Sequence, residues 1–194
     1  MKRLAALLFL CLAAFARPVP GGPLASDTAR SAAQGAVADI LDALARADFR
    51  QLASHVGGEG LVVSPYVMLD SGDVRLSRTE VESCAKDARV RLWGYRDGSG
   101  DPIETTCSRY FAEFVWDVDY RRSDELLYNK PRQRGLEPNN NHEFAPDALV
   151  VELHIRETPE GMQPYRPWKS LRLVFRRGDQ GFALIAITRD VWTI

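Results

Sequence analysis

Histidine, cysteine and methionine are scarce in this sequence, with three of each in 194 residues. His55, His142 and His154 do not stand at ligand spacing beside Cys84 or Cys107. No metal site is therefore read from the sequence, and no cofactor is expected. No Gly-x-Ser-x-Gly segment marks a nucleophile elbow. Neither sign of charge prevails. The 25 basic and 26 acidic residues leave a formal charge of −1, and the basic ones are scattered, which excludes the electrostatic footprint of a nucleic-acid binder. Beyond the first residues no long apolar run recurs, so no membrane span is expected. Asp97-Gly98-Ser99-Gly100-Asp101 begins like a calcium loop, but Pro102 and Ser108 stand where that loop requires Gly and Glu. The segment reads as a tight turn.

What is present starts with an export signal. Lys2 and Arg3 precede an apolar run from Leu4 to Phe15, and Ala14-Phe15-Ala16 supplies small residues for cleavage. Residues 1–16 are expected to be a signal peptide cut after Ala16, with a cut after Ala25 as the alternative. Residues 17–26 form a flexible Pro/Gly-rich leader, and 27–194 a single domain. Cys11 follows Phe9 and Leu10, not the small residues of a lipid-attachment box, and belongs to the discarded segment. The expected location is periplasmic or extracellular. There, Cys84 and Cys107 favour a disulfide, with two free buried thiols as the alternative. A hydrophobic fraction of 45% is enough to build one core.

Periodicity supplies the elements. Ser26-Asp27 is a candidate helix cap, and Val37, Ile40, Leu41 and Leu44 recur at helical spacing. After a break at 45–48, Phe49, Leu52, Ala53 and Val56 continue an apolar stripe that Gly57-Gly58 ends. Residues 61–69 read as a strand bent at Pro65, and 74–76 as a short strand. Ser77 and Glu80 form a capping box for a helix through about Ala88, which carries Cys84. Arg91–Tyr95 reads as strand, and Thr105 or Thr106 caps a further helix that carries Cys107. Residues 129–146 form a long polar loop, of a length often functional or mobile. Alternation over 149–156 and 171–176, a turn at 178–181 and a further strand over 182–193 predict a three-stranded antiparallel meander.

Helices first and long strands last predict an α+β domain, with N-terminal helices packed on a curved antiparallel sheet. This order resembles the cone-shaped NTF2-like (cystatin-like) superfamily. Four segments together resemble a group of exported bacterial proteins and lipoproteins: Ser64-Pro65-Tyr66, Trp93 to Ile103, Ser170 to Phe175, and Asp190 to Ile194. That group brings no activity with it, so the resemblance implies compartment and fold alone.

Two kinds of function follow from the residues. Tyr66, Trp93, Tyr95, Trp116, Tyr120, Trp168 and Trp192 fall near strands or strand ends. If they line a cavity they suit a small-molecule pocket, since aromatic walls with a few polar groups bind ligands such as sugars. Ordinary core packing is the competing reading for each of them. His154 alternates away from the apolar face of its strand, and with Asp190 and Tyr66 it forms a candidate acid–base set. The first kind is a binding module for a small molecule or an envelope component, through the cavity or the long loop. The second is a small cofactor-independent enzyme, which requires His154 and Asp190 to meet within a concave site.

Overall fold

A computed structural model describes residues 24–192, apart from 131, 146, 179 and 180. The expected signal peptide and most of the leader lie outside the described residues. Helix α1 (Ser26–Ala45) begins one residue earlier than the domain boundary expected from the sequence. The Ser26 hydroxyl donates to the carbonyl of Tyr128 rather than capping the helix. Its buried stripe of Ala29, Ala33, Val37, Ile40 and Leu44 follows helical spacing and faces the sheet. Ala47 takes a positive φ at the break, and the Asp48 side chain caps α2 (Phe49–Ser54).

Strand β1 (Leu61–Ser64) pairs with β2 (Val74–Leu76), which leads to α3 (Arg78–Ser83) through the expected reciprocal capping box of Ser77 and Glu80. β3 (Val90–Tyr95) and β4 (Pro102–Thr106) form a separate hairpin. β4 occupies residues expected to precede a helix directly. A short α4 (Cys107–Tyr110) then runs into a π-helical turn, Phe111–Val115. β5 (Glu125–Tyr128), β6 (Leu149–Ile155), β7 (Lys169–Gly178) and β8 (Gly181–Val191) complete the main sheet, ordered β2-β1-β8-β7-β6-β5.

The β6-β7-β8 meander is the one the alternation predicted. The fold class is α+β with helices on a sheet, but the sheet is mixed rather than wholly antiparallel, because β1 lies parallel to β8. The chain reaches β1 from the helices, so it enters beside β8 in the same direction rather than through a hairpin. The sheet remains open. No described helix is long and apolar enough to cross a membrane.

Alternation along the strands divides the sheet into two unlike faces. Leu149, Val151, Leu153, Leu171, Leu173, Phe175, Leu184 and Ile187 point toward the helices and form the main core. Within it Trp93 stacks on Tyr110 at 4.0 Å, and Tyr110 on Phe114 at 5.1 Å. This aromatic stack is part of the main core. The other face carries an apolar row, Val62, Ala186, Val174 and Val150, followed by polar residues.

Cys84, which opens the 3-10 turn directly after α3, and Cys107, the first residue of α4, form a disulfide across 23 residues. Constraining a loop of that length in the unfolded chain stabilises the fold by about 3 kcal/mol. The Cys84→Ala/Cys107→Ala variant is expected to lose roughly that amount in urea titrations. A loss below about 1 kcal/mol would mean the bond is dispensable to the fold.

Candidate functional site

The second face of the sheet explains the polar strand positions. Paired residues across strands share a face. One row therefore runs Glu125, His154, Ser170, Asp190, and the next runs Glu152, Arg172, Thr188, Ser64. Glu152, His154, Ser170, Arg172, Thr188 and Asp190 are all buried. The loop between β5 and β6 covers them and is not a free tip. Its Phe144, Ala145 and Ala148 pack on the apolar row. Asn141 donates to the carbonyl of Val67 at 2.6 Å and accepts from Thr188 at 2.8 Å, while Asn140 holds both the amide and the carbonyl of Leu69. The Asn129 side chain joins Leu24 to Val150. These amides fasten the loop down, as side-chain bonds to buried backbone do.

Beneath the loop, the charges alternate. Arg134 donates to Glu125 and to Glu152, each at 2.8 Å. Arg172 donates through Nη1 to Asp190 at 3.1 Å, and its Nη2 lies 3.5 Å from Glu152. The Arg134 guanidinium holds the Glu125 carboxyl down at about 2. Burial pushes Asp190 up despite the neighbouring Arg172. The Arg172 Nε and both ring nitrogens of His142 are buried without a described hydrogen-bond partner.

His154 and Asp190 share this face, yet they do not meet. β7 lies between their strands, which sets them about 10 Å apart by strand spacing. Asp190 is bonded to Arg172, whereas His154 is bonded through Nδ1 to the Ser170 hydroxyl at 2.8 Å. That hydroxyl donates its single proton to Glu152 at 2.9 Å, so it accepts from His154, and Nδ1 carries the proton. The nucleophile arrangement of a catalytic triad is absent from this chain of bonds: Ser170 is fully buried, with its oxygen held between imidazole and carboxylate. Tyr66 is outside this chain of hydrogen bonds. Its hydroxyl donates to the carbonyl of Tyr95 and accepts from the Tyr95 amide. Gly94, at φ +143°, allows this approach, since a Cβ there would stand 2.9 Å from Pro65. Burial pushes the Tyr66 hydroxyl up, so it is a poor acid.

The seven aromatic candidates separate into groups. Trp93 and Tyr120 are core residues, and the Trp93 indole donates to the carbonyl of Thr105. Trp116 borders a small apolar cavity of about 180 Å³ between the helices and the π turn. Tyr95 is exposed. Tyr66, Trp168 and Trp192 come together. With Gly135, Glu137 and Asp190 they line a cleft of about 370 Å³ where the covering loop meets the ends of β1 and β8. A second, more open cleft of about 460 Å³ lies beyond Trp168, bounded by His154, Arg134 and Arg156. Gly135 forms the roof of the first: a Cβ there would lie 3.3 Å from the Asp190 carboxylate and 3.7 Å from the Trp168 ring.

Sequence reasoning missed Arg134, Arg172, Glu137 and Gly135. Arg172 had a legible signal, as an arginine on the same strand face as His154. The three loop residues had none, because their role depends on where the loop lands. Among the described residues no three His, Cys, Asp or Glu side chains group as a metal site.

Burial lowers the pKa of all three histidines, with Arg172 adding to the effect at His142 and Arg134 at His154. A folded-state pKa below the unfolded value gives stability that is present above about pH 6.5 and lost as the pH falls through the folded value. Asp190 and Glu137, both pushed up, pull the other way as the pH nears the carboxylate range. Melting temperature is therefore expected to fall between pH 7.5 and 5.5, and the His142→Asn variant to show a shallower slope. An unchanged slope in that variant would remove His142 from the account.

No family model and no curated protein matches the chain. Among solved structures, it is similar to an NTF2-like protein with a cystatin-like fold from Novosphingobium aromaticivorans. The identity is 12%, covering 84% of this chain and 82% of that one, with a TM-score of 0.38. It is also similar to a domain of unknown function with a cystatin-like fold from Nostoc punctiforme. There the identity is 11%, covering 88% and 81%, with a TM-score of 0.41. Both have cystatin-like folds, and neither bears on what this chain binds.

Proposed function

We propose that the chain is an exported, non-catalytic binding module that holds a small molecule in the cleft between Tyr66, Trp168 and Trp192. The observation that carries this reading is convergence. Three aromatic side chains from distant segments, one of them half exposed, line one concavity next to a buried carboxylate. Large aromatic faces left open to water at a formed cleft are what ligand stacking uses. The disulfide and the basic-apolar-small opening support export.

The acid–base reading keeps one observation in its favour. His154 borders the second cleft, its Nδ1 is anchored by Ser170, and no described residue bonds its Nε2. Burial keeps the ring neutral at pH 7, so Nε2 is able to accept a proton. The partners expected for it are engaged elsewhere, with Asp190 on Arg172 and Tyr66 on Tyr95. Binding is therefore the better supported of the two.

Native mass spectrometry of the mature protein from an exporting host tests the binding reading. The expected result is a discrete adduct that disappears on denaturation and is missing from the Trp168→Ala/Trp192→Ala variant. An adduct that the variant retains would locate the ligand elsewhere and defeat the reading. The denatured spectrum also tests cleavage after Ala16.

A further inference from the structure

The aromatic cleft carries an imbalance of charge. Its carboxylates are Asp97, Glu137 and Asp190. Asp97 and Glu137 form no ion pair with any described residue. Asp190 is more than nine-tenths buried. Its Oδ2 is bonded to Arg172, while Oδ1 has no described hydrogen-bond partner and faces the cleft below Gly135. Two arginines also border the cleft, but each is committed to carboxylates outside it. Arg134 is held by Glu125 and Glu152, and Arg189 by Asp117. The mutual repulsion of the three acids is visible in Glu137, whose carboxyl is pushed up by burial and then by the charges of Asp97 and Asp190.

Carboxylates beside open indole and phenol faces favour one class of ligand. An aromatic face attracts a cation through its quadrupole, and the attraction grows when water is excluded. A carboxylate contributes Coulomb attraction at the same place. A neutral sugar would use the rings but leave Asp97 and Glu137 without a counter-charge, and an anion would be repelled by them.

Resting on the cleft reading above, we infer that the occupant of the Tyr66–Trp168–Trp192 cleft is a small organic ammonium ion, with its charged nitrogen against the aromatic faces and the Asp97, Glu137 and Asp190 carboxylates. The cleft's volume suits a headgroup-sized amine. Asp190 is the innermost of the acids, and Asp97 and Glu137 stand exposed at the mouth.

The test titrates the full mature protein with choline and, separately, with its neutral carbon isostere, reading the indole N–H resonances of Trp168 and Trp192. Choline is expected to bind about tenfold more tightly than the isostere. The Asp97→Asn/Glu137→Gln variant, altered only at exposed positions, is expected to lose most of that preference while keeping its melting temperature. Isostere binding as tight as choline binding overturns the cation assignment and leaves the cleft as a binding surface. A choline preference unchanged in the variant also overturns it, because the mouth acids would then play no part. Silence from both probes overturns it too, and the cleft itself is then judged by the adduct measurement.

Discussion

Arg172→Ala is expected to be among the most damaging single substitutions in the chain, costing about 3–5 kcal/mol. The guanidinium is fully buried on the covered face of the sheet, between Glu152 and Asp190. Removing it leaves two buried carboxylates facing each other with Arg134 as the remaining compensation, and an uncompensated buried charge costs more than the intact pair contributes. A loss of that size lowers the melting temperature of a domain this long by roughly 10 °C. A second variant separates charge from volume. Arg172→Met combined with Glu152→Gln and Asp190→Asn removes both the cation and the anions, and is expected to recover much of the loss. Equal destabilisation in the two variants would show that packing under the loop, rather than charge, is what Arg172 supplies.

Trp93→Ala is the second large effect, at about 3–5 kcal/mol. The indole is 2% exposed, stacks on Tyr110 and donates to the Thr105 carbonyl. Truncation opens a cavity in the aromatic stack and leaves that carbonyl unsatisfied. The effect should be on stability alone: below its lowered melting temperature, the variant is expected to bind any cleft ligand as the parent does. Trp192→Ala is expected to behave in the opposite way. Its ring is half exposed, so stability should change by no more than about 0.5 kcal/mol while binding falls. Loss of binding in Trp93→Ala at a temperature where it remains folded would join the core stack to the site and contradict this separation.

That contrast shows where the sequence was informative. Leu149, Val151 and Leu153, and Leu171, Leu173 and Phe175, alternate strictly because one face of their strands meets the helices. The meander and the α+β class were therefore readable. Ser77 and Glu80 announced a helix start because a capping box is a local interaction. The parallel placement of β1 beside β8 was not readable, since nothing in Leu61–Ser64 specifies a partner more than a hundred positions away. Nor was the second layer. His154 and Asp190 were readable only as polar strand positions that could line a cavity, and it is the covering loop, with Asn140, Asn141, Phe144, Ala145 and Ala148, that buries this face. The aromatic residues were indistinguishable for the same reason. Trp93 and Trp168 each follow ordinary strand chemistry in sequence, but one meets Tyr110 in the core and the other meets Asp190 across a cleft.

The measurement that bears most directly on the cleft is an amide and indole NMR titration of the mature protein with a panel of neutral, anionic and cationic small molecules. The chain has four tryptophans, so four indole signals report on four places at once. The account predicts that a binding compound shifts Trp168 and Trp192 together and leaves Trp93 in place. Compounds that shift Trp116 alone, at the apolar cavity between the helices, or a panel that moves none of the four, would contradict it.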